Sequence, residues 1–227
     1  MKKFFTLIAV AMMAVGGAMA QTGKYWDLSK WETADVTSEV TVDGLTYYGD
    51  SKSAYASGKA KITVDNTELN FTGRIKMGGA STFQEKKTNI RVFAFEAKAG
   101  QTVYVFGTHG SSSGDPRTFY LSMKPSSTKN DVSTAFASKA LEAGEKGYMT
   151  AIVPSDGTVY LWADNNNGIY AISVGYSVSE LANIQAGADG IANINADMND
   201  ANAPAYNLAG QRVNANAKGL VIKNGKK

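Results

Sequence analysis

The chain has 227 residues, 44% apolar and 19% charged, enough to bury a sizeable core in one main domain without cross-links. Its formal charge is +3, and setting aside Lys2 and Lys3, in a segment expected to be removed, leaves 21 basic residues against 20 acidic ones. That balance argues against a nucleic-acid reader, because Lys and Arg are scattered among acids instead of gathered on one face; only Lys223 to Lys227 form a basic cluster. The absence of cysteine excludes a disulfide framework and a lipid-anchored bacterial N-terminus.

Met1 to Ala20 has a basic start, an apolar run from Phe4 to Val15, and small residues at Ala18 and Ala20. This pattern predicts a secretory signal peptide cleaved after Ala20. The apolar run is short for a bilayer and ends at Gly16-Gly17, so the mature chain is expected to carry no transmembrane anchor.

Beyond the leader the chain alternates in period two. Trp26 and Trp31 open it, as large rings that plug a sandwich end or, in a sharper reading, serve as a sugar platform. Val36 to Val42 and Leu45 to Tyr48 flank Asp43-Gly44, a strong hairpin turn; Ala60 to Val64 and Leu69 to Phe71 flank Asp65-Asn66. Asn89 to Ala97 and Gln101 to Phe106 look like neighbouring antiparallel strands across Lys98-Ala99-Gly100. Phe119 to Met123 and Tyr148 to Val153 supply two more strands. A short helix is expected around Val132 to Ala143, where Ala135, Phe136, Ala140 and Leu141 could share a face. The organising stretch is Thr158 to Val178, which reads as a β-hairpin turning at Asn165-Asn166-Asn167-Gly168. Both faces of each arm are apolar or aromatic, as for strands between two layers.

These signals predict an all-β fold, an antiparallel β-sandwich or jelly roll over residues 21–178. Ser179 to Ala205, rich in Ala, Asn, Asp and Gly, reads as a linker, and residues 206–227 as a small C-terminal β-hairpin tail. Such a hairpin is marginal alone in water, so a label or docking role is expected of it.

The tail segments Tyr206 to Val213, YNLAGQRV, and Lys218 to Lys227, KGLVIKNGKK, resemble the C-terminal tails of secreted Bacteroidetes proteins read by the Por (type IX) secretion system. The resemblance implies sorting to the cell surface or medium after passage through the periplasm. WDLSKW, Trp26 to Trp31, together with GIYAISV, Gly168 to Val174, resembles accessory domains attached to pectate lyases and related polysaccharide-degrading proteins. That second resemblance implies a carbohydrate-binding role.

Catalytic signals are thin. His109 is the only histidine, and Gly110 to Gly114 matches Gly-x-Ser-x-Gly with Ser112 at the nucleophile position. Asp115 and Pro116 follow in a loop, where that motif requires a strand-to-helix elbow. No carboxylate pair stands out, so a non-enzyme is expected and no cofactor is required. Asp164, Asn165 and Asn167 offer the hard oxygen ligands that calcium takes, and equally the side chains a turn uses.

The function expected is polysaccharide recognition by stacking, with Tyr47, Tyr48, Tyr55, Trp162 and Arg91 as ligand-binding candidates, since strands with aromatics on both faces can turn one face to a sugar. The alternative is a structural or adhesin-type surface protein that binds other proteins, and a third class is a polysaccharide-degrading enzyme. The direction of Tyr47, Tyr48 and Trp162 discriminates between the first two.

Overall fold

A computed structural model describes residues 23–32, 36–129 and 131–187, and the backbone of three short strands beyond them. The expected leader Met1 to Ala20 with its cleavage site, and most of the linker and tail, lie outside the described residues.

Alternation builds the strands, and two antiparallel sheets result. One contains β1 (Lys24–Asp27), β4 (Ser53–Val64), β5 (Thr67–Met77), β7 (Thr102–His109), β10 (Lys146–Ile152) and β12 (Asn167–Val174), in the order β10-β7-β12-β5-β4 with β1 also paired to β12. The other runs β2-β3-β6-β11-β8-β9 and contains β2 (Glu39–Val42), β3 (Leu45–Tyr48), β6 (Val92–Ala97), β8 (Arg117–Ser122), β9 (Ala135–Leu141) and β11 (Gly157–Ala163). The inward faces meet in one apolar core. Tyr47, Phe93, Phe119 and Leu161 come from one sheet and Ile75, Val105, Ile169 and Ile172 from the other. Trp26 and Trp31 are buried in this core, and the Trp26 indole N–H donates to the Asp43 carbonyl oxygen at 3.1 Å. The antiparallel sandwich is therefore the fold of the described residues between Gly23 and Val178.

Two expected turns close as written. Asp43 (φ 48°) and Gly44 (φ 81°) join β2 to β3, and Asp65 (φ 46°) and Asn66 (φ 67°) join β4 to β5, both residues of each turn lying in the left-handed region. The β4–β5 hairpin is longer than expected and carries a register shift between Ser57 and Ala60. Near its base Ile75 and Met77 enter the core, whereas farther out Phe71 packs on Phe106 (5.1 Å) and Tyr170 (5.5 Å), and Phe106 adjoins core-facing Val105 on β7. The hairpin thus curls over the outer face of its own sheet. Gly73 permits this, because a Cβ there would collide with the Tyr55 ring.

Three expectations are corrected. The stretch Thr158 to Val178 is no hairpin: β11 joins one sheet and β12 the other, and Asp164 to Asn166 cross between them. Three extended residues span about 10 Å, the separation of packed sheets. Strands apolar on both faces can lie centrally in separate sheets, and none of the three Asn residues has positive φ. For the same reason β6 and β7 do not pair. Lys98 to Gln101 cross between sheets, with the Lys98 N–H donating to Gln101 Oε1 at 2.7 Å and the Ala99 N–H donating to Asp156 Oδ1 at 2.9 Å. Finally, Ala135 to Leu141 is the edge strand β9 and not a helix. Its ladder to β8 pairs one side of its backbone and Leu141 is buried, which outweighs the weak local preference of a short alanine-rich segment.

Residues from Ser179 onward form a separate unit. The helix α1 (Val178–Gln185) occupies the start of the expected linker. Beyond it, β13 (Ala205–Tyr206) lies between β14 (Arg212–Val213) and β15 (Ile222–Lys223), so the tail pairs three short strands where two were expected.

Candidate functional site

Period-two alternation turns Leu45 and Tyr47 inward and Thr46 and Tyr48 outward on β3, and the same parity places Val92 of β6, Tyr160 and Trp162 of β11 and Tyr120 of β8 on one outer face. Register then assembles them. Tyr48 opposes Val92, and Trp162 opposes Tyr120, with these two rings stacked at 4.3 Å and 20°. Phe83, from the segment between β5 and β6, lies over Tyr160 at 4.9 Å and Trp162 at 6.0 Å. Trp162 is consequently 4% exposed, with its indole N–H donating to Ser122 Oγ at 2.9 Å. Tyr48, Tyr120 and Tyr160 remain half-buried, each presenting part of a ring at the surface.

Burial raises the Tyr48 phenol pKa, with Glu39 and Tyr160 adding to the rise and a hydrogen bond with Asn89 opposing it. Burial likewise raises that of Tyr120, with Thr118 opposing and Asp164 adding. These phenols are neutral at ordinary pH. Each offers a hydroxyl beside a ring face, with carboxylates at Glu39 and Glu96 on the same sheet and at Asp164 just past the end of β11; Thr158 Oγ1 donates to Glu96 Oε1 at 2.5 Å. Half-exposed rings beside oriented acceptors can stack on an apolar sugar face and accept from its hydroxyls.

The structure separates the ligand-binding candidates read from sequence. Tyr48 and Trp162 share the outer-face cluster, but Trp162 supports it from beneath and cannot itself be a stacking surface. Tyr47 is corrected to a core residue. It is fully buried, stacks on Phe93 at 4.3 Å and bonds to Ser53 Oγ at 2.9 Å, and burial drives its pKa well above the ordinary tyrosine value. Tyr55 packs partly buried against the core and over Gly73. Arg91 is corrected to a framework residue: its guanidinium pairs with Asp50 and donates to the Ala80 carbonyl oxygen through Nε at 3.1 Å, while its backbone sits at φ 54°. Phe83, Tyr120 and Tyr160 were not among the candidates. Alternation with Trp162 could have found Tyr160, whereas Phe83 sits in an irregular segment with no periodic signal.

The residues considered for calcium pin the β11–β12 crossover. Asp164 Oδ1 accepts from the Thr118 N–H at 2.9 Å, Asn165 Oδ1 accepts from the Asn166 N–H at 2.8 Å, and Arg117 donates to the Asn166 carbonyl oxygen at 2.7 Å. Asn166 and Asn167 each keep a buried Oδ1 without a partner among the described residues. Asp164 Oδ1 and Asn165 Oδ1 thus serve the crossover backbone, and a guanidinium lies alongside. Among the described residues no group of three or more His, Asp or Glu is placed to hold a metal. His109 is buried, with Nδ1 against the Ser111 backbone and Nε2 3.0 Å from the Asp115 carbonyl oxygen. The ring organises its own loop, while Ser112 is exposed within that loop.

No protein-family model matches the chain, and no curated protein matches it significantly. Among solved structures, the chain is similar to the K1 cleaved adhesin domain of Lys-gingipain from Porphyromonas gingivalis W83, at 11% identity over 69% of this chain and 99% of that one, with a TM-score of 0.42. A chain from work on glycan recognition in the Ruminococcus flavefaciens cellulosome aligns at 11% identity over 67% of this chain and 92% of its own, with a TM-score of 0.36. A carbohydrate-binding module of Cellvibrio mixtus lichenase 5A, in complex with cellotriose, aligns at 8% identity over 64% and 95%, with a TM-score of 0.28.

Proposed function

We propose that the chain is a secreted, non-catalytic β-sandwich protein that binds polysaccharide through the outer face of the β2-β3-β6-β11-β8-β9 sheet. The observation that carries this reading is the set of three half-buried tyrosines, Tyr48, Tyr120 and Tyr160, fixed around buried Trp162 and Phe83. A ring already held in place loses little conformational freedom when a sugar stacks on it, so its contact energy is retained as affinity. The carboxylates on this face favour neutral sugars, whose hydroxyls donate to them. The leader Met1 to Ala20 supports export, and the tail Tyr206 to Lys227 is read as an address for surface sorting.

The test is retention on a panel of neutral polysaccharides by affinity electrophoresis. Tyr48→Ala and Tyr160→Ala should each weaken retention by about 1 to 3 kcal/mol, the scale of losing one aromatic contact, without loss of the folded state. A wild type that is retained on none of the panel, or variants that are retained unchanged, would remove this reading.

A further inference from the structure

On the opposite outer face, register places Lys76, Gly168, Thr108 and Lys146 directly across β5, β12, β7 and β10. Three inter-strand steps separate the two lysines, about 14 Å between Cα atoms. Arg74, one step along β5 on the same face as Lys76, lies across Gly168 and brings its guanidinium 5.9 Å from the centre of the Tyr170 ring. Gly168 carries no side chain, which lets the Arg74 chain lie across it, and buried Thr108 turns its hydroxyl to the Glu145 carbonyl oxygen at 2.8 Å. On the other side of β5, Ala54 opposes Lys76 and Ala56 opposes Arg74, so small residues flank both cations there too.

Cations on a sheet face are ordinarily matched by cross-strand acids. Here the pairing is missing: among the described residues neither the Arg74 nor the Lys76 side chain has a hydrogen bond or ion pair, although both are half-buried. Lys146 Nζ donates to the Lys59 carbonyl oxygen at 3.0 Å, which holds it over the same face beneath the β4 bulge. Half-burial weakens solvent screening of the two unmatched charges, and the Tyr170 ring fixes the plane of the guanidinium. Such a cluster can take carboxylates presented along a polymer chain. Nucleic acid is disfavoured because Tyr170, the ring beneath Arg74, is only 1% exposed and offers no face for a base to stack on.

We propose that Arg74, Lys76 and Lys146 form a second glycan site, specific for the carboxylates of an acidic polysaccharide and independent of the tyrosine face. The experiment measures affinity of the full chain for polygalacturonate, for the same polymer fully methyl-esterified, and for a single-stranded oligonucleotide of matched charge. The wild type should bind polygalacturonate in preference to the other two, with affinity falling as salt rises. Arg74→Gln with Lys76→Gln should lower that affinity about tenfold or more, the scale of removing charge-assisted contacts, while Arg74→Lys should retain part of it. Tyr48→Ala with Tyr160→Ala should leave it unchanged. Lys76→Gln alone, at a position on the outward side of β5, guards against a fold defect in the double variant. Equal binding of the methyl ester or of the oligonucleotide, or insensitivity to the Arg74 and Lys76 changes, would overturn the site. Loss of polygalacturonate binding in the tyrosine variant would transfer it to the other face and overturn the site as well.

Discussion

Trp162 and Tyr160 stand two residues apart on β11 and share a face, yet packing assigns them opposite tasks. Phe83 and Tyr120 cover the indole, whereas the Tyr160 ring keeps part of its surface open. Trp162→Ala should therefore cost about 3 to 5 kcal/mol, the range for deleting a large buried ring, and should lower the melting temperature markedly. Unchanged thermal denaturation would show that the indole is not a structural support. The aromatic chemistry of this site was legible in the sequence, since Tyr48 and Trp162 were singled out. What alternation could not settle is which rings end up covered, because cover comes from Phe83 in an irregular segment and from Tyr120, distant in sequence. Tyr47 shows the same limit from the other side: it differs from Tyr48 only in parity, and parity becomes inward or outward only once the second sheet is in place.

At the scale of elements, strand positions and the turns at Asp43-Gly44 and Asp65-Asn66 were readable because their signals are local. Which sheet a strand joins was not. Two strands separated by a short polar link satisfy the same pattern whether they pair side by side or face each other across the core, as β6–β7 and β11–β12 show. The β6–β7 crossover has its own fastening in Asp156, whose carboxylate accepts from the Ala99 N–H and pairs with Lys98 Nζ at 3.1 Å. Those bonds, the Ala99 N–H first, lower the Asp156 pKa below the ordinary carboxylate value. A depressed folded-state pKa contributes stability above the unfolded-state pKa and loses it as pH falls through the folded one. Asp156→Asn should therefore lower the melting temperature at neutral pH, and its difference from the wild type should vanish on acidification below the carboxylate range. A difference that persists at pH 2 would assign the effect to the side-chain shape and not to the charge.

The whole molecule divides into a sandwich, whose architecture follows from alternation and composition, and a C-terminal unit whose strands are only two residues long. So short a sheet gains few ladder bonds, and we propose that the tail is kept for recognition and not for stability. Deleting Tyr206 to Lys227 should leave the melting temperature of the sandwich nearly unchanged. The destination should change instead: in a host with the type IX machinery the truncated chain should accumulate in the periplasm, and the full chain should reach the surface or medium. Fractionation of the two side by side reads both effects at once. Equal distribution would remove the sorting role, while a large fall in melting temperature would mean that Leu220, Val221 and Ile222 serve the stability of the fold.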